Sequence, residues 1–461
     1  MLPRAVLERF ETKTAITVMA HVALMQALSP QWMEEVFEQN SDSQYTRELM
    51  FSTVVGLMML VSLGLSPSVH AAAKRIEEEL GVSLRSVYNK INGVETAVVR
   101  ALVCGSAERF IPVVQTLQPK RKLSVKGFQL RIVDGNHLAA TEKRIKVLRG
   151  FRGAALPSQT LVVYDPDLEL VVDLLPWEDA HTQERVIMQE LMDRVMAGQL
   201  WIADRNFCCA PILLGLIERG AHFLVREHGA NPNPKEESKR RRIGRIETGV
   251  VYEQIVSIED EDAVVHRLRR IEVHLQEATE DGDMVIRLLT NVPSSRLGAK
   301  VLARLYRRRW RIEAMFQRLE SVLQSEIKGL GRPLASLFAF GVSILAFNVL
   351  SLLMSAVRAR HAKTLEESNI ELSPYYVANE IRANHAGMMV ATDAAAWQRY
   401  EQLSTKEFAQ TLLRLAGNVN PRSLRSHPRK PKDVPKRGYV SRTEAQRHIS
   451  TCQVLEAGKI V

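Results

Sequence analysis

Residues 306–320 read Y-R-R-R-W-R-I-E-A-M-F-Q-R-L-E and set one carboxylate, Glu313, among arginines. On a continuous helix, at about 100° per residue, Tyr306, Arg309, Glu313 and Glu320 fall within an arc of about 60°. A carboxylate flanked by fixed cations suits a site that holds a divalent metal and phosphate oxygens together. A solvated helix laced with i,i+4 ion pairs would look the same locally. Two isolated aspartates upstream shift the balance.

The first, Asp134, closes F-Q-L-R-I-V-D-G-N, where Phe128, Leu130 and Ile132 alternate with polar residues and the run stops at D-G-N. That pattern predicts a strand ending in a turn. The second, Asp204, ends the short apolar run at 200–203 in Q-L-W-I-A-D-R-N-F. Neighbouring strands of an open α/β sheet bring such ends together at the crevice where ligands bind. Singly, each aspartate is an ordinary turn former or helix cap. The order Asp, Asp, then Glu on an arginine-rich helix says more than any member alone. Three carboxylates at one sheet edge can hold two Mg²⁺ or Mn²⁺ ions, hard cations suited to phosphodiester chemistry. No G-x-x-x-x-G-K-[ST] loop is present. Cys104, Cys208, Cys209 and Cys452 lack zinc-ligand spacing, and so few thiols point to a reducing compartment.

With these residues in view, the chain resembles a DDE transposase of a bacterial insertion sequence, in the insertion sequence four family. The signature of that group is Y-x2-R-x3-E-x6-K. Tyr306, Arg309 and Glu313 match its first three positions, and Glu320 stands where the pattern has lysine. D-G-N at Asp134, A-D-R-N-F around Asp204, F-L-V-R-E at 223–227 and L-L-T-N at 288–291 extend the similarity over roughly 129–348. The resemblance implies an RNase H-like α/β core, interrupted by a β-rich insertion between the second aspartate and the glutamate. It implies that Asp134, Asp204 and Glu313 are catalytic and ligate two Mg²⁺ (or Mn²⁺) ions. Tyr306, Arg309, Arg308 and Lys328 would contact DNA phosphates. The implied activity is metal-dependent cleavage and strand transfer by a cut-and-paste route. Its partners would be double-stranded DNA, as terminal inverted repeats and target, in a synaptic complex built on a homodimer. Relatives pass through a hairpin with a flipped base stacked on an aromatic residue of the insertion. Here no tryptophan lies between Trp201 and Trp310, so Tyr252 is a candidate platform. A carboxylate at 320 would repel a phosphate; Arg318 or Lys328 could supply the cation, or Glu320 could pair with an arginine. A nuclease without strand transfer, and a decayed end-binding protein without activity, stay open as other readings.

Charge agrees with a nucleic-acid partner: 62 Lys+Arg face 52 Asp+Glu, for a net charge of +10. Basic residues gather at 235–245, where Arg240, Arg241 and Arg242 sit inside the expected insertion, and again in a proline-containing tail at 422–437. Such runs track a phosphate backbone without reading bases. Residues 68–92 hold two apolar-periodic segments joined by Gly81-Val82-Ser83, with Ser83 placed to cap the second. This pattern resembles a helix-turn-helix, with Arg85, Ser86, Tyr88, Asn89 and Lys90 on the reading helix.

At 461 residues the chain is long enough for two or three domains. The expected division is an all-helical DNA-binding part at 1–123, and a catalytic part at 124–358 with its insertion at about 228–295. A helical region with the basic tail follows at 359–461. Within the catalytic part, strands are expected at 129–133, near 146–148, at 161–164 continuing into 168–175, at 200–203 and at 223–225. Helices are expected at 183–196 and 210–219. Two uncharged runs, 51–69 and 337–357, could span a bilayer by length. Their glycines, serines and Asn348 mark them instead as core helices. No signal-peptide pattern opens the chain, so a soluble, cytoplasmic and nucleoid-associated protein is expected.

Overall fold

The computed structural model describes residues 3–44, 48–76, 80–118, 123–138, 155–229, 232–279, 282–327, 329–427 and 449–458. Helices fill the first part: α1 (Pro3–Lys13), α2 (Ala15–Ala27), α3 (Pro30–Asn40), α4 (Phe51–Ser62), α5 (Val69–Arg75), α6 (Leu84–Asn92) and α7 (Thr96–Leu117). Ser83 caps α6 as its position predicts, its hydroxyl accepting from the Ser86 amide.

Strands then alternate with helices: β1 (Gln129–Leu138), β2 (Ala155–Leu156), β3 (Ser158–Asp165), β4 (Leu170–Trp177), α8 (Glu184–Leu191), β5 (Gln199–Ala203), α9 (Ala210–Glu218) and β6 (His222–Arg226). The expected strand at 146–148 lies outside the described residues. The run expected to continue from 161 to 175 is instead a hairpin, β3 and β4 pairing antiparallel. A turn at Pro166–Glu169 separates them, with Glu169 at a positive φ of 56°.

The insertion carries β7 (Lys235–Glu236), β8 (Arg241–Ile246), β9 (Gly249–Glu259), β10 (Val265–Leu275) and β11 (Val285–Thr290). It extends the same sheet, whose order is β4-β3-β1-β5-β6-β11-β10-β9-β7 with β8 paired to β9. Only β1–β5 and β5–β6 pair in parallel within it. After β11 come α10 (Ala299–Tyr306), α11 (Trp310–Val322), α12 (Pro333–Arg360), α13 (Ala362–Glu367), α14 (Pro374–Ala391), α15 (Ala394–Trp397) and α16 (Thr405–Ala416). A short strand, β12 (Ile449–Ser450), pairs with β2, and α17 (Thr451–Ala457) follows.

The central strands are buried on both faces, and their period of two divides them between two cores. Leu130, Ile132, Val162, Tyr164, Leu200, Ile202 and Leu224 face one core; Val133, Leu161, Val163, Trp201, Ala203, Phe223 and Val225 face the other. The second core is closed by Ile187 and Leu191 of α8 and by Ile212 and Leu213 of α9. The first is shared with the amino-terminal helices and with those that follow β11. This three-layer mixed sheet fits an RNase H-like α/β core.

The hub of the shared core is α12, which packs against α2, α4, α6, α7, α16, β3 and β4. It is long and apolar enough to cross a membrane, yet every residue of its most apolar stretch is buried inside the fold. Gly341 lets α7 come close, because a β-carbon there would run into Val99 Cγ1. Asn348 explains the one strongly polar residue of the apolar run. Its amide accepts from Val171 N at 2.9 Å and donates to Val171 O at 2.9 Å. Edge strand β4 thus has backbone groups satisfied inside a dry core.

Candidate active site

Strand β1 passes its parallel partner β5 and stays paired to β3. The β1–β5 ladder ends at Ile132–Ile202, while the β1–β3 ladder continues through Leu138. Asp134 therefore sits in mid-strand where β1 and β5 part. The D-G-N triplet is strand, not the turn its composition predicts, because seven backbone pairings to β3 outweigh local turn preference. Asp204 follows β5 directly. Its Oδ1 accepts from Asn206 N at 2.8 Å and caps a 3-10 turn at Arg205–Phe207.

Glu313 arrives on α11. The helix read as continuous from 306 is broken: α10 ends at Tyr306, a 3-10 turn covers Arg307–Arg309, and α11 starts at Trp310. Tightening that turn alters the ideal 100° spacing between Tyr306 and Glu313. The three carboxylates are nevertheless drawn to one place. Arg309 Nη1 lies 3.0 Å from Asp134 Oδ2, and its Nη2 lies 2.6 Å from Glu313 Oε1. The charge of Asp204 acts on both Asp134 and Tyr306.

The electrostatics are those of crowded acids short of cations. Burial pushes the Asp134 carboxyl up to about 7; Arg309 pulls it down, while Asp204 and Glu184 push it further up. Burial also raises Glu184, with Asp204 adding to the shift. Burial works against the charge of Arg309, but Tyr306, Asp134 and Glu313 outweigh it and raise its pKa. Burial pushes the Tyr306 phenol up to about 12, so it is a neutral donor at pH 7.

A stability consequence follows from Asp134. Its folded pKa, about 7, lies above the ordinary 3.8. Between those values the folded chain holds a proton that the unfolded chain has lost, so stability falls as pH rises through that window. At about 1.4 kcal/mol per unit the loss is on the order of 4 kcal/mol. We predict that, in chelator, Asp134→Asn melts above the parent at pH 8 and by a clearly smaller margin at pH 5. A difference that does not change with pH would count against this.

Other anticipated residues are dispersed. Arg308 donates to Ser124 Oγ, not to the acidic centre. Lys328 lies outside the described residues, and α11 ends at Val322, so the helical path that would align a lysine at 328 with Glu320 does not exist. Glu320 is exposed. On α6, Arg85 and Asn89 are exposed and Tyr88 is half-buried. Lys90 is corrected: it is buried, with Nζ 4.2 Å from the centroid of the Phe37 ring. In the insertion, Arg240, Arg241 and Arg242 are exposed, Arg240 pairing with Glu272 at 2.9 Å. Tyr252 is covered by Arg240 at 4.8 Å and His274 at 4.7 Å. Most of the basic tail lies outside the described residues.

Two residues at the centre escaped the sequence. Trp310 is 59% exposed, beside Arg309. Glu184 opens α8 and borders a cleft of about 690 Å³ lined also by His137, His181, Arg205 and Asn206. An acidic first turn is what any helix prefers, so Glu184 carries no special signal in the sequence.

The carboxylate oxygens suit a hard divalent cation. Among the described residues, however, no three His, Cys, Asp or Glu side chains form a ready cage. Arg309 supplies the positive charge between Asp134 and Glu313 instead.

Residues 126–348 match the family model described as a transposase DDE domain, a span that contains Asp134, Asp204 and Glu313. That match supports a DDE transposase. No curated protein matches the chain. Among solved structures, a piggyBac transposase synaptic complex with hairpin DNA is similar at 12% identity, with a TM-score of 0.37, over 94% of this chain and 88% of that one. A likeness that loose carries no argument about this chain.

Proposed function

We propose that the chain is a DDE transposase of the insertion sequence four group. On this reading it binds the ends of a bacterial insertion sequence and catalyses cleavage and strand transfer by a cut-and-paste route. The observation that carries the reading is the Asp134–Arg309–Glu313 bridge with Asp204 beside it, inside the segment that matches the transposase domain.

Asp134, Asp204 and Glu313 would hold two Mg²⁺ or Mn²⁺ ions. When bound, such ions activate the attacking oxygen and stabilise the leaving one. Arg309 can exchange its carboxylates for a DNA phosphate, to which a planar guanidinium binds in bidentate fashion. Tyr306, neutral and buried against Arg309, offers its O–H to the same phosphate. Trp310, 59% exposed with Arg309 over its ring at 5.2 Å, is a second aromatic on which a base could stack, besides Tyr252 under Arg240. Arg85 and Asn89 on α6, with Arg241 and Arg242 of the insertion, would extend the contact along DNA. Two such chains would assemble on two ends.

Glu320 is the departure with the simplest test. It is exposed, so Glu320→Lys changes charge and little packing. We expect about 3- to 10-fold tighter binding of end DNA, with a salt slope steeper by roughly one phosphate. Fluorescence anisotropy at several salt concentrations reads both; unchanged affinity and slope would remove Glu320 from the DNA path.

The function itself is tested by incubating the full chain with a supercoiled plasmid carrying the element's ends, in Mg²⁺ or Mn²⁺. Cleavage at the ends, followed by joining of labelled 3′ ends to a second plasmid, is the expected result. Cleavage without joining would leave a nuclease. Binding without cleavage in either metal would leave an inactive end-binding protein.

A further inference from the structure

The cleft that Glu184 borders opens beside the acidic centre, on the α8 side. Its walls are the end of β1, the start of α8, the turn after β5 and the chain beyond β6. That is the edge of the parallel strands, where an α/β sheet binds its ligands. A volume of about 690 Å³ falls in the small-ligand range of about 300–1,000 Å³. It admits part of one DNA strand and excludes a duplex.

The lining is made of donors. Arg185, Arg205, His137, His181 and His228 face a single acid, Glu184. That acid is committed elsewhere. Its Oε2 accepts from Asn206 Nδ2 at 3.3 Å, and its carboxylate lies over Gly135, where a β-carbon would stand 2.5 Å from Glu184 Cδ. Arg185 and Arg205 are exposed, and among the described residues no ion pair or hydrogen bond engages either guanidinium. In the insertion, by contrast, Arg240 and Arg241 pair with Glu272 and Glu253. Helix stability does not account for Arg185 either, because a cation in the first turn of α8 works against the helix dipole. A strand laid across three carboxylates carries phosphate charge past like charge, and needs cations on both flanks. Arg309 serves one flank. Arg185 and Arg205 stand at the other.

We infer that this cleft seats an unpaired stretch of DNA strand beside the cut, its phosphates held by Arg185 and Arg205. The inference rests on the proposed transposase reading. It sets a phosphate grip directly after Asp204 in the chain, opposite the one that Arg309 supplies.

The test is fluorescence anisotropy with the full chain and labelled end DNA, in chelator and at several salt concentrations. One probe is fully paired across the cut; the other is unpaired from the cut outward. For the double variant Arg185→Gln, Arg205→Gln we expect about tenfold weaker binding of the unpaired probe. Its salt slope should be shallower by roughly 1 to 1.5, at about 0.7 per phosphate of a single strand. The paired probe should stay within about twofold of the parent. Arg185→Lys with Arg205→Lys should recover most of the lost affinity, because a phosphate also binds a point charge. Thermal melts check that both variants are folded, as expected for side chains with no bond inside the described fold. Parent-like binding of the unpaired probe, or an equal loss on both probes, would overturn the inference and leave the transposase reading intact. A parent that binds unrelated DNA as tightly as end DNA would sink that reading, and the inference with it.

Discussion

Asp204→Asn is expected to lower end cleavage on the order of 10³-fold while DNA affinity stays within about twofold of the parent. A bound divalent ion contributes several kcal/mol of transition-state stabilisation in phosphoryl chemistry, and roughly 1.4 kcal/mol is a factor of ten. Asparagine keeps the size of aspartate and one oxygen, so it can still accept from the Asn206 amide and cap the 3-10 turn. What it loses is the charge that a cation needs. Single-turnover cleavage of labelled end DNA, with binding measured in parallel, checks both halves. Cleavage reduced less than tenfold would mean that Asp204 is only a cap and that the metal ligands lie elsewhere.

Asn348→Leu is expected to cost about 2–5 kcal/mol of stability without touching the acidic residues. Each face of the Asn348 amide meets one backbone group of Val171, and both residues are fully buried. Leucine has similar volume but leaves an N–H and a C=O without partners, at about 1–3 kcal/mol each. Gains from the added apolar contact are smaller than that sum, because the amide site is already filled. A shift of the denaturant midpoint, with the slope unchanged, measures it. A change below about 1 kcal/mol would show that β4 finds other partners for these groups. The same substitution makes α12 more apolar still, so a hydropathy count moves in the opposite direction to stability.

How much could be read beforehand depended on range. The strands at 129–133, 200–203 and 223–225, the Ser83 cap and the burial of 337–357 and of most of 51–69 follow from period and local chemistry, and the structure has them, although the helix in 51–69 ends at Ser62. Asp134 was legible as a residue at a strand's working edge, but D-G-N suggested a turn. The pairing of 134–138 with β3 decided otherwise, and it is set by residues 20 to 28 positions away. The 3-10 turn at Arg307–Arg309 left no mark in the sequence, which reads as one helix. Lys90 looked like part of a basic reading face until Phe37, from another helix, covered it. Glu184 was hidden by being ordinary. Nothing about a glutamate in a first helical turn says that a glycine in a distant strand has made room for it.

The central place of α12 also bears on the order in which the molecule can be made. Helices α2 and α4 are among the most apolar of the chain, and the partner they share begins at residue 333. A ribosome adding about 5–20 residues per second delivers that partner roughly 15–50 s after α4 has emerged. Throughout that interval α2 and α4 can pack only against neighbouring amino-terminal helices, and the faces they turn to α12 stay open. The nascent chain is therefore a natural client for chaperones. Any product released before residue 333 lacks the helix against which both α2 and α4 pack.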